Sequence, residues 1–268
     1  MSAVLTFQRG ISDKTSAFSL IELLVAISVI GILAALLLPS LARSKQQAQG
    51  TYCVNNLKQM NAAWMLYSDD FLQTTVPNVG MLQPEYVTNL NWVVGNVNSP
   101  LDQTNSLLLS RSLLGSYTKN TMIYRCPSDP ASGRVRSVSI NNYMHGKGMM
   151  INPNFLNNEK TTDIRQPASS FVFLDESAQT INDGYFVMVL TTNFNSGLSV
   201  VDLPANYHGG AGAFSFADGH AQLKKWRGTG GQISYADCIW MILNTTVPAS
   251  GAWPASQIIQ PTKVNSAF

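Results

Sequence analysis

An uninterrupted apolar run over residues 18–38 constrains this chain more than any other feature. The run reads FSLIELLVAISVIGILAALLL and carries a single charge, that of Glu22. At a rise of about 1.5 Å per residue, a helix of this length spans the hydrocarbon core of a bilayer. The residues before it are polar and include Arg9, Asp13 and Lys14. The run therefore predicts a membrane-spanning helix near the N-terminus.

Three interpretations of this segment compete, and two of them leave features unexplained. A secretory signal peptide has an apolar stretch of about 7–15 residues and a small-residue cleavage site, but this run is longer and continues into LLPSLARSKQQAQ. A plain anchor fits the length, and Arg9 and Lys14 favour a cytoplasmic N-terminus, although Arg43 and Lys45 weaken the asymmetry. A plain anchor does not explain Glu22, because an acidic residue within an apolar span is costly and indicates a functional position.

The third interpretation accounts for Glu22. The stretch KTSAFSLIELL resembles the type IV prepilin signal, with Ala17 before the cut and Glu22 at the fifth position of a chain that begins at Phe18. The resemblance implies that a prepilin peptidase/N-methyltransferase cleaves after Ala17, where the family usually has Gly, and methylates Phe18. It also implies that Glu22 pairs with the α-amino group of a neighbouring subunit, because a charge in a dry helix bundle needs a partner. Pro39 matches a proline that is common in pilin helices, where it kinks or locally melts the helix.

After Pro39 the pattern becomes amphipathic. Apolar residues recur at alternating steps of four and three, which places them on one face of a helix; they are Cys53, Leu57, Met60, Trp64 and Tyr67. The charged and polar residues fall largely elsewhere. We therefore predict one helix from Phe18 to about Tyr67, whose second half packs on a sheet. A coiled-coil seam is the alternative, although the pattern covers only about two heptads.

The remainder predicts a body of short strands and many loops. Prolines and many Asn and Thr residues predict a loop-rich region at 70–125, with a short helix within 106–114. Strands are predicted at Val135–Ile140, Ser170–Leu174 and Tyr185–Leu190. Asp218-Gly219 favours a two-residue hairpin turn. That turn pairs Phe216 with Ala221 and Phe214 with Leu223, and so separates apolar from polar side chains.

The body carries a second resemblance. His208 is followed after nine residues by Asp218-Gly219, and further matching stretches are Cys53–Gln59, Cys126–Asp129, Phe171–Glu176 and Asp183–Tyr185. This resembles bacterial prepilin-like proteins with a C-terminal H-X9-DG signature, often grouped with the major pseudopilins of type II secretion. The resemblance implies an α+β fold, in which a long N-terminal helix packs on an antiparallel sheet. The expected parts are a leader 1–17, a helix 18–69 (18–38 transmembrane and filament core, 39–69 amphipathic) and a body 70–268 that contains the signature segment 208–219.

Several body residues are of types that ligate metals or move protons; they are Asp175, Glu176, Asp183, His208, Asp218 and His220. Their spacings match no compact metal motif, and the sequence contains no P-loop, dinucleotide fingerprint or G-x-S-x-G elbow. The pseudopilin resemblance implies that a loop of the sheet binds Ca²⁺, for which Asp175, Glu176 and Asp183 are candidates. Otherwise we expect no cofactor. The alternative function is a membrane-anchored extracytoplasmic metal-dependent enzyme or ligand-binding module that uses His208, Asp218 and His220.

The three cysteines and the charge narrow the function further. Cys53, Cys126 and Cys238 form no C-x-x-C pair, which argues against a zinc site built on thiolates. Cys126 and Cys238 could form a disulfide outside the cytoplasm, and three free buried thiols are an equally open alternative. The net charge of +2 and the scattered basic residues argue against nucleic-acid binding.

These patterns together predict a structural subunit, and not an enzyme, of a type IV pilus-like or type II secretion pseudopilus filament. We expect a single-pass protein of the bacterial inner membrane, with its N-terminus in the cytoplasm and its body in the periplasm or at the cell surface. Its expected partners are the prepilin peptidase, membrane lipid, and like or related pilin subunits that contact it through the N-terminal helix.

Overall fold

The computed structural model describes residues 19–81, 90–147, 153–188, 201–229 and 232–249. The chain divides into two compact units, residues 1–44 and 45–268. The long helix α1, Leu20–Asp70, begins in the first unit and ends in the second. The predicted cleavage site between Ala17 and Phe18 lies outside the described residues.

In the first unit, α1 is apolar on all sides. It is the one described helix that is long and apolar enough to cross a membrane. Its large apolar side chains from Leu20 to Leu41 are all at least half exposed. The helix continues without interruption through Pro39, so it is not melted there. The hydroxyl of Ser40 donates a 2.8 Å hydrogen bond to the Leu37 carbonyl and so supplies a side-chain donor beside the proline.

In the second unit, the remainder of α1 is amphipathic as predicted. The five residues of the predicted face, from Cys53 to Tyr67, are each at most 6% exposed. Lys45, Gln47, Asn55 and Lys58, which the pattern placed off that face, are exposed. Burial of this face against the sheet contributes most of the stability of this part of the helix, because isolated helices are marginal in water.

The body contains seven short strands and three further helices among the described residues. The strands are β1 (Asn78–Val79), β2 (Val138–Asn141), β3 (Gly146–Lys147), β4 (Phe171–Asp175), β5 (Tyr185–Phe186), β6 (Ala211–Phe216) and β7 (Ala221–Lys225). The helices are α2 (Ser106–Arg111), α3 (Gly115–Thr118) and α4 (Tyr235–Leu243), with 3₁₀ turns at Thr121–Tyr124, Thr161–Asp163 and Pro167–Ser169. The predicted α+β class, with a long helix packed on a sheet, is confirmed.

The main sheet has five strands in the order β5-β2-β4-β6-β7, and β1 pairs with β3 separately. The prediction that the sheet is antiparallel is wrong at one edge, because β5 pairs with β2 in parallel. The other pairs of this sheet are antiparallel. The difference follows from the connection. After β4 the chain reverses direction, and the next strand, β5, lies beside β2 and not beside β4. Because β2 and β4 are antiparallel, a strand that runs opposite to β4 is parallel to β2.

The sheet separates two hydrophobic cores. One core lies between the sheet and α1 and includes Leu57, Trp64 and Phe173. The other lies on the opposite face and includes Phe214 and Met241, the latter from α4. The β4–β6 register shifts between Phe171 and Leu174. At this shift the side chains of β4 do not alternate strictly between the two cores. Val172 and Phe173 face α1, while Phe171 and Leu174 belong to the second core.

The predicted register of the β6–β7 hairpin is wrong by one residue. Ser215 pairs with Ala221 and Phe214 with Gln222, whereas the prediction paired Phe214 with Leu223. A two-residue type I′ turn requires positive φ at both central residues, but only Gly219, at φ +97°, has it; Asp218 does not. The loop therefore has three residues and ends on the left-handed glycine. As a result, Leu223 is 39% exposed and the His220 ring stacks on Phe216, 4.2 Å away.

Candidate functional site

The amino terminus of α1 is capped by the side chains of Ser19 and Glu22. The Ser19 hydroxyl accepts a hydrogen bond from the Ile21 backbone N–H at 3.3 Å. The Glu22 carboxylate accepts one from the Ser19 backbone N–H at 2.9 Å. This arrangement is a capping box, which satisfies two otherwise unpaired donors at the helix start. Glu22 thus has a local role as a cap, and its exposed carboxylate is also free to meet a positive charge from outside the chain.

A second group of functional side chains lies inside the body, where four potential ligands converge. Their ligand atoms all lie within 4.8 Å of one another, and all four residues are buried; they are Cys53, Cys126, Asp175 and His208. Each comes from a different part of the fold. Cys53 is on α1, Cys126 follows a 3₁₀ turn, Asp175 ends β4, and His208 precedes β6.

The imidazole of His208 lies close to two other members of this cluster. Its Nε2 is 3.3 Å from Cys126 Sγ and 3.7 Å from Asp175 Oδ2. Gly50 of α1 lies beside the ring, and a Cβ at this position would be in ordinary contact with His208 Cγ, at 3.5 Å, but too close to Leu223 Cδ1, at 2.8 Å. Two polar atoms of the cluster, Asp175 Oδ2 and His208 Nδ1, are buried without a hydrogen-bond partner. Such groups are costly unless something compensates them.

The side chains of the cluster shift one another's pKa values. Burial disfavours the charged imidazole, but the nearby Asp175 carboxylate and the contact with Cys126 Sγ outweigh it and raise the pKa of His208 to about 9. A hydrogen bond from Cys53 lowers the pKa of Cys126, with His208 acting in the same direction against burial. That hydrogen bond, together with burial and the Asp175 charge, raises the pKa of Cys53. The Cys126 thiol is thus the more acidic of the two thiols, and its sulfur lies 3.3 Å from the imidazole of His208.

The backbone around Cys126 also orients its side chain. The Ser128 N–H donates to Cys126 Sγ at 3.4 Å. The Cys126 N–H itself donates to the Ser137 hydroxyl at 2.7 Å, which fixes the position of the residue next to β2. An N–H directed at sulfur is the kind of contact that orients a ligating side chain.

Comparison with known proteins identifies the N-terminal segment. Residues 13–38 match the family described as the prokaryotic N-terminal methylation motif. The chain carries a prepilin-type N-terminus. No curated protein and no solved structure matches the chain. The motif, together with the one apolar helix found among the described residues, fits a pilin-like, single-pass protein of the inner membrane. The H-X9-DG relationship stays a prediction.

The structure does not bring together the residues of the alternative enzyme site. His208 is buried in the thiol cluster, whereas Asp218 and His220 lie at the hairpin loop, with side chains 35% and 41% exposed. There Asp218 Oδ1 is 2.6 Å from His220 Nδ1 and accepts the His220 N–H. An exposed Asp–His pair at the end of a hairpin is a turn interaction. These three residues therefore do not form one site.

The calcium candidates make contacts with different groups. Asp175 faces the thiols, while Glu176 accepts hydrogen bonds from the hydroxyls of Ser139 and Thr180, at 2.6 and 3.2 Å. Asp183 accepts the backbone N–H groups of Met81 and Tyr185. Calcium requires about six to eight converging oxygen ligands. Calcium binding by these three carboxylates stays a prediction.

The three cysteines are free in the structure. Cys126 lies beside Cys53 and His208, while Cys238 belongs to the hydrophobic core on the other face of the sheet. A Cys126–Cys238 disulfide is therefore absent from this structure. The sequence argument against a thiolate site considered only adjacent cysteines. It missed that the packing of α1 on the sheet brings together the thiols of Cys53 and Cys126, which are distant in the sequence.

Proposed function

We propose that the protein is a structural subunit of a type IV pilus-like or type II secretion pseudopilus filament. A prepilin peptidase would cleave it after Ala17 and methylate the new N-terminus at Phe18. Before assembly the N-terminus lies in the cytoplasm and the body outside it. After assembly the apolar part of α1 forms the filament core with the corresponding helices of like or related subunits.

The observation that carries this proposal is the pairing of the methylation motif with an apolar helix that contains one acidic residue. The motif covers residues 13–38, and Glu22 is the one charged residue of the apolar run. The large apolar side chains from Leu20 to Leu41 are at least half exposed, so lipid or other chains must cover them. An acid in such a helix is expensive in lipid, and a partner amine in a filament would offset that cost.

A catalytic function receives less support. The residues that suggested an enzyme from sequence are separated, as described above. The remaining cluster at His208 is at most 8% exposed at every member, which leaves no access for a substrate. It also lacks the order of a nucleophilic triad. Cys126 and Asp175 both approach Nε2 of the imidazole, whereas a triad places the carboxylate on the other ring nitrogen, Nδ1.

The proposal is tested by the mass of the mature N-terminus. The full chain is expressed in a bacterium with and without a prepilin peptidase, and the membrane-extracted protein is examined by intact-mass and N-terminal peptide mass spectrometry. We expect a chain that starts at Phe18 and carries one extra methyl group, only when the peptidase is present. An Ala17→Glu variant, which places a large charged side chain before the cut, should stay uncut. A chain that still starts at Met1 with the peptidase present, or that is cut after the apolar run, would overturn the proposal.

A further inference from the structure

We propose that Cys53, Cys126, Asp175 and His208 together bind one transition-metal ion of the zinc type. The ion would fix the amphipathic part of α1 to the sheet. This inference concerns the body alone and does not depend on the filament function. It extends the expectation from sequence, which had included Asp175 and His208 among metal candidates but neither cysteine.

The distances between the side chains suit a tetrahedral ion. Zinc binds thiolate sulfur at about 2.3 Å and imidazole nitrogen or carboxylate oxygen at about 2.0–2.2 Å, so neighbouring ligand atoms lie roughly 3.3–3.8 Å apart. The distances from His208 Nε2 to Cys126 Sγ and to Asp175 Oδ2, at 3.3 and 3.7 Å, fall within that range. All four ligand atoms lie within 4.8 Å of one another. A small contraction therefore places all four around one ion.

The ligand types select the metal. Thiolate ligands favour zinc and other soft or borderline transition metals over Ca²⁺ and Mg²⁺, which prefer sites made entirely of oxygen. Two sulfurs, one nitrogen and one oxygen make a four-coordinate set that needs no added water. A site with four protein ligands and no open position is structural and not catalytic.

Unpartnered atoms point to a ligand as well. Asp175 is 1% exposed, and its Oδ2 atom has no hydrogen-bond partner although it faces the cluster. A buried carboxylate oxygen without a partner is costly, and a bound cation removes that cost. Next to it lie two buried thiols, of which Cys126 already receives the N–H of Ser128. A divalent cation would offset the charge of this set once the thiols lose their protons.

The topology explains what the ion would do. Cys53 belongs to α1, while the other three ligands come from segments attached to the sheet: the loop before β2, the end of β4 and the loop before β6. One ion would therefore link the helix to three points of the body. A connection between segments so distant in sequence stabilises the folded state, because no preformed site exists in the unfolded chain.

The test begins with the wild-type protein, so that it does not require any variant to fold. The full chain is purified in detergent, stripped with a chelator and titrated with Zn²⁺ or Co²⁺. We expect one metal ion per chain by elemental analysis, and for Co²⁺ the visible absorption of a tetrahedral site together with a sulfur-to-cobalt charge-transfer band. With metal at about a thousand times its Kd, the melting temperature should rise by roughly 10 °C. A stripped, folded protein that takes up neither metal would overturn the proposal.

Matched variants locate the site. Cys126→Ser and His208→Ala should lose the metal and the cobalt spectrum. Cys238→Ser and His220→Ala, which alter a buried cysteine and a histidine outside the cluster, should keep one ion per chain. Equal metal binding by Cys126→Ser and the wild-type protein would place the ion elsewhere and overturn the proposal.

The competing outcome is a disulfide between the two clustered thiols, and thiol counting distinguishes it. The freshly purified chain is unfolded in chelator without reductant and alkylated. If metal occupies the site, Cys53 and Cys126 both become alkylated. If they are bonded to each other, alkylation needs prior reduction. A Cys53–Cys126 disulfide in the purified protein, with metal absent, would overturn the metal site.

Discussion

The buried side chain of Asn61 on α1 donates a 2.8 Å hydrogen bond to the backbone carbonyl of Phe216, the last residue of β6. Asn61 is fully buried, and the oxygen of its side-chain amide, Oδ1, has no hydrogen-bond partner. The Phe216 carbonyl also accepts the N–H of Gly219 in the hairpin loop. One amide group thus connects the helix face to the turn that joins β6 and β7, on the side of the sheet that packs against α1.

We expect Asn61→Asp to destabilise the body strongly. A carboxylate at this position would be buried, would have no N–H to donate, and would face the Phe216 carbonyl. Breaking a buried hydrogen bond costs about 1–3 kcal/mol, and more for a charged group. The matched control is Asn55→Asp, which makes the same change at an exposed position on the same helix. Chemical unfolding of the full chain in detergent measures the difference, and equal losses in the two variants would contradict the role of Asn61.

The hairpin loop gives a second prediction. Gly219 has φ +97°, and a Cβ at this position would lie 3.3 Å from Met65 Cε, the movable end of a flexible side chain. The backbone angle and not the space therefore limits the residue type. We expect Gly219→Ala to cost about 1–2 kcal/mol, because an L-residue is strained in the left-handed region.

Gly219→Asn is the informative comparison, since asparagine adopts left-handed conformations more readily than other non-glycine residues. The asparagine variant should be more stable than the alanine variant, although its side chain is larger. Thermal unfolding of both variants measures the order. The reverse order would show that contact with Met65 dominates.

The local patterns of the sequence predicted the elements better than their connections. The spacing of Cys53, Leu57 and Trp64 identified the buried face of α1, because helical periodicity is a local property. The strand at Phe171–Asp175 was also predicted within one residue. The turn at Asp218-Gly219 was found, but the sequence alone did not decide between a two-residue and a three-residue loop. That single choice shifted every pair of the hairpin.

The thiol cluster illustrates what local patterns omit. Cys53, Cys126 and His208 are brought together only when α1 packs on the sheet and the loops around it close. Motif reasoning searches for ligands that are close in sequence, and it cannot detect a site whose members come from four separate segments. A signal was nevertheless present. Four of the five segments that supported the resemblance, all except Asp183–Tyr185, each supply one member of the cluster.

A buried acidic group gives a prediction on pH. Burial raises the pKa of Asp202 to about 7, with Asp183 adding to the effect and the Val187 N–H opposing it. Burial and the nearby Asp202 charge also raise the pKa of Glu176, against the effects of Ser139 and Arg136. Because the unfolded carboxyl of Asp202 titrates near pH 4, the folded state binds more protons between about pH 4 and 7. The free energy of unfolding therefore falls as the pH rises through this range.

We expect Asp202→Asn to remove part of this pH dependence. The amide oxygen can still accept the Val187 N–H, which donates to Asp202 Oδ2 at 2.6 Å, and no charge has to be buried. The variant should melt above the wild-type protein at pH 8 and near it at pH 4. The control is Asp163→Asn, which alters an exposed carboxylate that also accepts a backbone N–H, that of Lys160. Melting curves at both pH values measure the effect, and an Asp202→Asn variant without gain at pH 8 would contradict it.

Glu22 gives the prediction that separates its two roles. As a cap, it accepts the Ser19 N–H, a function that glutamine can retain. As the partner of a neighbouring N-terminal amine, it needs its charge. We therefore expect Glu22→Gln and Glu22→Ala to lose filament assembly to a similar extent, by more than tenfold. Removal of one partner of a buried ion pair costs about 3–5 kcal/mol, and about 1.4 kcal/mol corresponds to a factor of ten.

The assembly measurement uses cells that contain the complete secretion or pilus machinery, with sheared or pelleted filaments quantified against the membrane-bound subunit. Ser28→Ala is the control, since Ser28 lies in the same apolar run and its hydroxyl bonds only locally, to the Leu24 carbonyl. It should assemble like the wild-type protein. If Glu22→Gln assembles normally and Glu22→Ala does not, the carboxylate acts as a helix cap and the intersubunit ion pair is excluded. If both variants fail while the membrane level of the subunit is unchanged, the charge itself is required, as a filament of closely packed α1 helices demands.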